Sequence, residues 1–142
     1  MAIYSMSNRT SNVTSGVTNL ELRASATKRL RILEITITMA AATASVFGIG
    51  RAQAQGVTPT TPITVLPEEI AEGAGTGQTA LAWGTPPTIP VQFHKRVNLP
   101  GTIGASRTIV FPRGFTLAVN TSLVIWNLGT NGVTDVDITV DE

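Results

Sequence analysis

The sequence predicts an all-β protein built as an antiparallel sandwich, and three features of its C-terminal quarter support that prediction. Apolar and polar residues alternate through 133–140, which is the period of two expected for a strand with one buried face. The run 123–128 is apolar on both sides, as in a strand packed within a sandwich. Asn131-Gly132, between these two strands, is a strong hairpin-turn signal.

The alternation also predicts which side chains face the interior. Near the C-terminus, the residues expected to hold the sandwich together are Val124, Trp126, Val136 and Ile138. In the early segment 30–39, one face is expected to carry Leu33, Ile35, Ile37 and Met39. The β-branched Ile and Thr residues of that segment favour a strand over a helix.

The composition limits the classes of protein to which the chain can belong. Its 142 residues predict one domain. Charged residues make up 13%, about half of the usual ~25%, so Thr, Ser, Asn and Gln must supply most of the polar surface. Such a surface is common in proteins that stay docked on partners. The formal net charge of +1 indicates no general polyanion binder, and the absence of cysteine excludes disulfides and thiolate metal sites.

Two regions outside the regular strands are expected. The polar stretch 1–18 shows no sustained period and is predicted to be an extended N-terminal arm that a partner or a neighbouring copy orders. The domain proper is then 19–142. Within it, the Pro- and Gly-rich stretch 52–78 is predicted to be a long irregular loop that makes contacts.

Eight or nine short strands are expected in total, which is close to the eight of a jelly roll. No fixed-period repeat is present, so a propeller or solenoid is not expected. The predicted strands are Asn19–Ala24, Leu30–Met39, Val46–Gly50, Ile63–Leu66, Thr79–Trp83, Val91–Leu99, Ser106–Phe111, Phe115–Leu128 with a break at Asn120–Ser122, and Val133–Val140.

One stretch imitates a signal peptide. The basic residues of 28–31 precede an apolar run that ends in the small-residue sequence Ala52-Gln53-Ala54. This stretch lies well inside the chain, Glu34 interrupts its apolar part and Arg51 adjoins the supposed cleavage site. We therefore expect neither a standard secretion signal nor a membrane anchor.

Residues suited to catalysis are scarce. His94 is the only histidine and lies in a basic segment, so it is expected at the surface or an interface rather than in a triad. The carboxylates of Glu68, Glu69 and Glu72 have no aromatic platform nearby for sugar chemistry. The sequence predicts no catalytic residue, no cofactor and no enzyme activity. A small hydrolase of jelly-roll type is therefore the weakest functional hypothesis for this sequence.

Charged clusters offer two further hypotheses. Asp135 and Asp137 share a strand face and could give oxygen ligands to calcium, although a solvated face is the simpler interpretation. Head-to-tail docking of copies could join the basic group Arg23, Lys28, Arg29 and Arg31 to the acidic group Asp135, Asp137, Asp141 and Glu142. The basic group has no interleaved aromatic residues, so specific nucleic-acid binding is not expected.

Several motifs together carry a resemblance to a known class of protein. They are Leu33-Glu34-Ile35-Thr36-Ile37-Thr38, the Gly48-Ile49-Gly50-Arg51 turn, Phe111-Pro112-Arg113-Gly114-Phe115 and Ser122-Leu123-Val124-Ile125-Trp126-Asn127-Leu128. Over roughly Leu20 to Glu142 the chain resembles small jelly-roll proteins encoded by tailed bacteriophages and related prophages. The resemblance is a strand-and-turn pattern and carries no catalytic signature. Such proteins are virion components, often trimeric or placed on symmetry axes.

The resemblance implies a non-enzymatic virion structural protein. Its leading form is a capsid decoration (cement) protein that binds and stabilises the assembled shell through the arm 1–18 and the loop 52–78. Its expected partners are the major capsid protein or other virion proteins and further copies of itself, with a trimer favoured. It would be made in the host cytoplasm and located on the capsid surface. The alternative is a receptor- or carbohydrate-binding module of a tail or fibre, with a surface pocket containing Trp83 or Trp126.

Overall fold

The computed structural model describes residues 2–11, 16–130 and 132–142. The described residues form thirteen β-strands and no helix. In chain order these are β1 Ile3–Arg9, β2 Thr18–Arg23, β3 Leu30–Met39, β4 Ser45–Arg51, β5 Val57–Thr60, β6 Ile63–Thr64, β7 Leu66–Pro67, β8 Gln78–Ala80, β9 Ala82–Thr85, β10 Lys95–Leu99, β11 Ser106–Leu117, β12 Ser122–Asn127 and β13 Thr134–Asp141.

Two large sheets face each other. The first, sheet A, has the order β11-β3-β13-β1-β7, and the second, sheet B, has the order β10-β4-β12-β2-β8-β6. Strands β5 and β9 form a separate two-stranded ribbon. The pairings within the sheets are antiparallel. The prediction of an all-β antiparallel sandwich is confirmed.

The core lies between the two sheets and uses alternate residues of their strands. Burying one aliphatic side chain of this size contributes about 1.5–3 kcal/mol, so the rows facing this core dominate stability. From sheet A they include Ile35, Ile37, Met39, Val136, Ile138 and Val140, and from sheet B Leu20, Leu22, Phe47, Ile49, Leu123 and Ile125.

A β-bulge at Leu33 shifts the predicted inward row of β3. Both neighbours of β3 pair with Ile32 and Glu34 and skip Leu33, which is half-buried. The extra residue reverses the alternation, so the buried positions before the bulge are Leu30 and Ile32. The predicted row is therefore correct for residues 35–39 and wrong for Leu33.

Strand β12 is apolar on both faces, and the prediction chose the wrong face as the inner one. Leu123 and Ile125 belong to the core between the sheets. Val124 and Trp126 are also buried, but on the outer side of sheet B. Alternation alone does not separate the two faces of such a strand, because both rows are apolar.

The segment 82–93, which we call the covering segment, lies on the outer side of sheet B and packs closely on two glycines of β4. A Cβ on Gly48 would lie 2.5 Å from the Phe93 ring, and a Cβ on Gly50 would lie 3.1 Å from Pro90. The sequence placed Gly48 both in a predicted strand, Val46–Gly50, and in a Gly48-Ile49-Gly50-Arg51 turn. The strand is correct and the turn is wrong, because β4 extends to Arg51 and pairs with β10 and β12. The glycines are there because a neighbouring segment must approach the strand backbone.

The N-terminal arm prediction is wrong for the residues of β1. Ile3–Arg9 pairs with β13 along its whole length, and β7 pairs with the other side of β1. Tyr4, Met6 and Asn8 are buried, and the intervening serines lie toward the outside. Pairing satisfies the backbone groups of this polar stretch, so it joins the sandwich domain. The rest of the expected arm includes residues 12–15, which lie outside the described residues.

At two places where the sequence predicts a turn, Asn131-Gly132 and residues 112–114, the structure differs from the prediction. Strands β12 and β13 lie in different sheets, so the connection at Asn131-Gly132 crosses between sheets and closes no hairpin; Asn131 itself lies outside the described residues. Residues 112–114 form an irregularity within the continuous strand β11, with Gly114 at φ 67°. The predicted loop 52–78 contains the short strands β5, β6 and β7.

The membership of β1 in the sandwich gives the first testable prediction. Met6→Ala should lower the free energy of unfolding by roughly 2–4 kcal/mol, because it deletes a buried side chain and leaves a cavity. Ser7→Ala, on the exposed face of the same strand, should change it by less than about 0.5 kcal/mol. Urea denaturation of both variants measures the difference. An extended arm outside the fold would give two variants with equal, unchanged stability.

Candidate interaction surfaces

The outer face of sheet A is flat and rich in hydroxyl groups. Strand register aligns its side chains in rows, and within one row the Thr36 and Thr108 hydroxyl oxygens are 2.9 Å apart. Short side chains in a paired sheet are already ordered, so a partner that binds them loses little additional entropy. The face carries Ser5, Ser7, Thr36, Thr38, Ser106, Thr108, Asp135, Asp137 and Thr139, with Arg9, Glu34 and Val110 among them.

One member of the acidic pair considered for calcium is bound by a cation of the chain. The Arg9 Nε and Nη2 atoms donate to the two carboxylate oxygens of Asp135, each at 2.7 Å. These hydrogen bonds, together with the charge of Arg9, hold the pKa of the Asp135 carboxyl below its ordinary value of 3.8. In the part of the chain that the structure describes, no three His, Cys, Asp or Glu residues come together as metal ligands.

The charged clusters that the sequence offered for docking between copies meet within one chain. Arg31 lies 3.7 Å from Asp141, and Lys28 lies 3.7 Å from Glu142. The carboxylate of Glu142 also accepts hydrogen bonds from the backbone N–H groups of Thr76 and Gly77, at 2.7 and 3.4 Å, and from the Thr76 hydroxyl. This part of the predicted head-to-tail contact is therefore used inside the fold.

A buried carboxylate fixes the covering segment of sheet B. Glu21 is 0% exposed, and it accepts hydrogen bonds from Trp83 Nε1 at 2.7 Å and from the Gly56 N–H at 3.0 Å. Arg23 Nη1 lies 3.0 Å from the same carboxylate and also donates to the Gly56 carbonyl. A buried charge is stable only when it is paired and hydrogen-bonded, and these three partners meet that need.

The two tryptophans are thus engaged in the structure of the fold. Trp126 is 6% exposed beneath the covering segment. Trp83 is half-buried, its ring lies against Gly56, and its N–H is donated to Glu21. Trp126 is thus withdrawn from the surface, and the polar group of the Trp83 ring is occupied by Glu21.

His94 lies at the surface, as predicted, and its ring contacts an aromatic side chain. The ring packs edge-on against Phe115, with centroids 4.8 Å apart. The guanidinium of Arg51 stacks on that same Phe115 ring at 4.5 Å from its centroid. The imidazole therefore takes part in an aromatic and cationic cluster at the rim of the sandwich.

This cluster is part of a larger cationic surface, which we call the basic edge and define as Arg51, Lys95, Arg96, Arg107 and Arg113. All five side chains are exposed, and the four ion pairs found among the described residues involve none of them. They come together because β10 ends sheet B on the same side as β11 ends sheet A.

Between these two edge strands lies a cleft of about 230 Å³. Lys95, Arg96 and Arg107 line it, and the buried side chains of Val97 and Ile109 supply apolar surface. Sequence inspection found only the basic segment around His94. The remaining basic residues are distant in sequence, and only a known strand order would have brought them together.

The opposite side of the sandwich carries a second charged feature, which we call the acidic turn and define as Glu68–Glu72. It follows β7, the strand of sheet A farthest from β11. The Glu68 N–H donates to the Ile3 carbonyl at 2.9 Å, and the Glu72 N–H donates to the Glu69 carbonyl at 3.1 Å. The turn is thereby held against β1 and projects its side chains outward.

Comparisons with protein-family models, with curated proteins and with solved structures find no match for this chain. The described residues contain no helix of the length and apolarity that crossing a membrane requires.

The Arg9–Asp135 pair gives a prediction in pH. Arg9→Gln should raise the pKa of Asp135 toward 3.8, because the hydrogen bonds and the charge that lower it are removed. In the native chain the depressed pKa favours folding above the ordinary pKa, and this contribution disappears as pH falls through the folded-state value. Titration of the Asp135 carboxyl carbon by NMR measures the shift. Arg113→Gln is the matched control, and an equal shift in both variants would contradict the assignment.

The buried carboxylate gives a prediction in stability. Trp83→Phe should lower the free energy of unfolding by about 1.5–3 kcal/mol, because Glu21 loses a hydrogen bond that water cannot replace. Ile89→Ala, an exposed position in the same covering segment, should change it by less than about 0.5 kcal/mol. Thermal and chemical denaturation measure both. Equal stabilities for the two variants would show that Glu21 does not depend on Trp83.

Proposed function

We propose that the chain is a non-enzymatic structural protein of a bacteriophage virion, most simply a decoration protein that docks on the assembled shell. The observation that carries the proposal is the strand order. Eight strands lie in the two orders β1-β13-β3-β11 and β2-β12-β4-β10. Two interlocked Greek keys produce this arrangement, and it supports a fold of jelly-roll type, which is used by viral capsid and lectin domains.

The outer face of sheet A supports docking on a large partner. It is made mainly of short hydroxyl side chains in register, with the charged side chains of Arg9, Glu34, Asp135 and Asp137 among them. Such a face can bury hydrogen-bonding groups against a partner without immobilising long side chains. The proposed partner is the major capsid protein or another virion protein.

Attachment is proposed through this face and the neighbouring loops, since β1 is a strand of the sandwich. Exposed apolar side chains in the loops, such as Ile103 near the start of β11, extend the contact surface. A protein that binds only the assembled shell stabilises that shell by mass action. No reacting group on the protein is needed for this function.

The alternative, a carbohydrate- or receptor-binding module of a tail or fibre, has weaker support. Its expected pocket was to contain Trp83 or Trp126, and both rings are engaged in contacts within the fold. The only remaining support for the alternative is that the strand order of the chain resembles that of lectin domains.

Particle binding tests the proposal. Phage particles induced from the host strain that carries the gene should contain the chain, and purified chain should rebind to particles stripped of it. Quantitative mass spectrometry gives the copy number relative to the major shell protein. The melting temperature of the shell should rise when the chain is bound.

Two variants locate the contact on the molecule. Thr108→Arg lies on the outer face of sheet A and should weaken rebinding about tenfold or more, since it places a long charged side chain in a flat interface. Thr85→Arg lies on the ribbon β5–β9 that is separate from sheet A and should leave rebinding unchanged. Particles that lack the chain and do not bind it would refute the proposed function.

A further inference from the structure

Most charges outside the ion pairs of the described residues lie at two opposite edges of the molecule. The basic edge lies beside β10 and β11, and the acidic turn lies beyond β7 on the other side of sheet A. The ion pairs of the described residues include no member of either group. One chain therefore presents two complementary surfaces that cannot reach each other within the same molecule.

The two surfaces also match in apolar character. Ile70, in the middle of the acidic turn, is 103% exposed, so its side chain has no partner within the chain. The cleft of the basic edge has the exposed side chain of Val110 in its lining, beside the cationic side chains and above the buried Val97 and Ile109. An apolar side chain flanked by carboxylates fits a cleft in which apolar residues are flanked by cations.

We infer that the acidic turn of one copy docks into the basic edge of a second copy. Ile70 enters the cleft, and the flanking carboxylates of Glu69 and Glu72 approach the cationic groups of Arg96 and Arg107. A free polyanion would match the charge of the basic edge, but it would leave Ile70 exposed. A second copy accounts for both surfaces at once.

The backbone at the basic edge favours this mode of contact over sheet extension. Strands β10 and β11 are edge strands, and charged side chains on an edge strand oppose pairing with another strand. Docking through side chains in the cleft leaves those backbone groups in water. The contact joins different surfaces of two identical chains, so it is head-to-tail and closes only if the rotation between copies forms a ring.

This contact goes beyond the proposed function, since it requires no shell and a decoration protein can also dock as a monomer. A five-residue turn buries less area than the ~1,200 Å² of a stable interface, so the contact alone is weak. Charge pairing at the rim also makes it sensitive to salt. We expect association at high protein concentration and low ionic strength.

Two charge-reversal variants test the inference. The basic-edge variant is Arg96→Glu with Arg107→Glu, and the acidic-turn variant is Glu69→Lys with Glu72→Lys. A control variant, Arg29→Glu with Asp137→Lys, changes charges away from both surfaces, since Asp137 lies on β13, the central strand of sheet A. Circular dichroism and thermal melting establish that each is folded. Sedimentation velocity in about 50 mM and about 500 mM salt then measures association over a range of concentrations.

The wild-type chain and the control should associate in low salt, and the dissociation constant should rise about tenfold or more in high salt. Each charge-reversal variant alone should remain monomeric. An equimolar mixture of the two variants should form dimers and larger species, because the intact turn of one variant fits the intact cleft of the other and the two reversed surfaces also have opposite charges.

Three outcomes would overturn the inference. They are a wild-type chain that stays monomeric in low salt, association that survives either charge reversal, and a variant mixture without dimers. Binding of a fluorescent single-stranded oligonucleotide tests whether a polyanion, instead of a second copy, occupies the cleft. Binding that the basic-edge variant abolishes, without any self-association of the wild type, would assign the cleft to a polyanion instead.

Discussion

The insertion of β13 between β1 and β3 is the constraint on which the rest of the sandwich depends. It joins the two ends of the chain in the centre of sheet A, with β1 paired over Ile3–Arg9 and β3 paired from Arg31 to Met39. Backbone pairing at the centre of a sheet fixes the register of every strand outside it. That register aligns the hydroxyl groups of the outer face in rows and brings Arg9 to Asp135. The surface of sheet A is thus a consequence of how the two ends of the chain meet.

The two sheets differ in what lies on their outer faces. The glycines of β4 allow this difference, because they let a neighbouring segment approach the backbone of sheet B. Sheet B is covered by a segment that approaches its backbone at Gly48 and Gly50, and the buried Glu21 carboxylate anchors that segment through Trp83. Among the residues that the structure describes, no such segment lies over the row of Thr and Ser residues of sheet A. The molecule therefore has one side that is committed to internal packing and another that is available to partners.

Local alternation was enough to predict the sandwich and the inward rows of β13 and of residues 35–39, because a period of two reports directly on one buried face. The alternation gave the wrong inward row where a bulge interrupts the period of two or where both faces of a strand are apolar. Leu33 is a bulge residue, β12 is apolar on both faces, and the serines of β1 concealed the buried row of Tyr4 and Met6. The basic edge could not be predicted, since its members come together only through the order of strands that are distant in sequence.

The pattern of ion pairs explains why a net charge of +1 describes this molecule poorly. Charges near the chain ends neutralise one another within sheet A and its rim, as between Arg31 and Asp141. The charges outside these ion pairs include the cations of β10 and β11 and, at the opposite edge, the carboxylates of Glu68–Glu72. Arg29, Glu34 and Asp137 are also outside the ion pairs and belong to neither group. A molecule with such a separation of charge orients neighbours before it touches them. The same cations that discourage strand pairing at the open edges would then select a partner that docks through side chains.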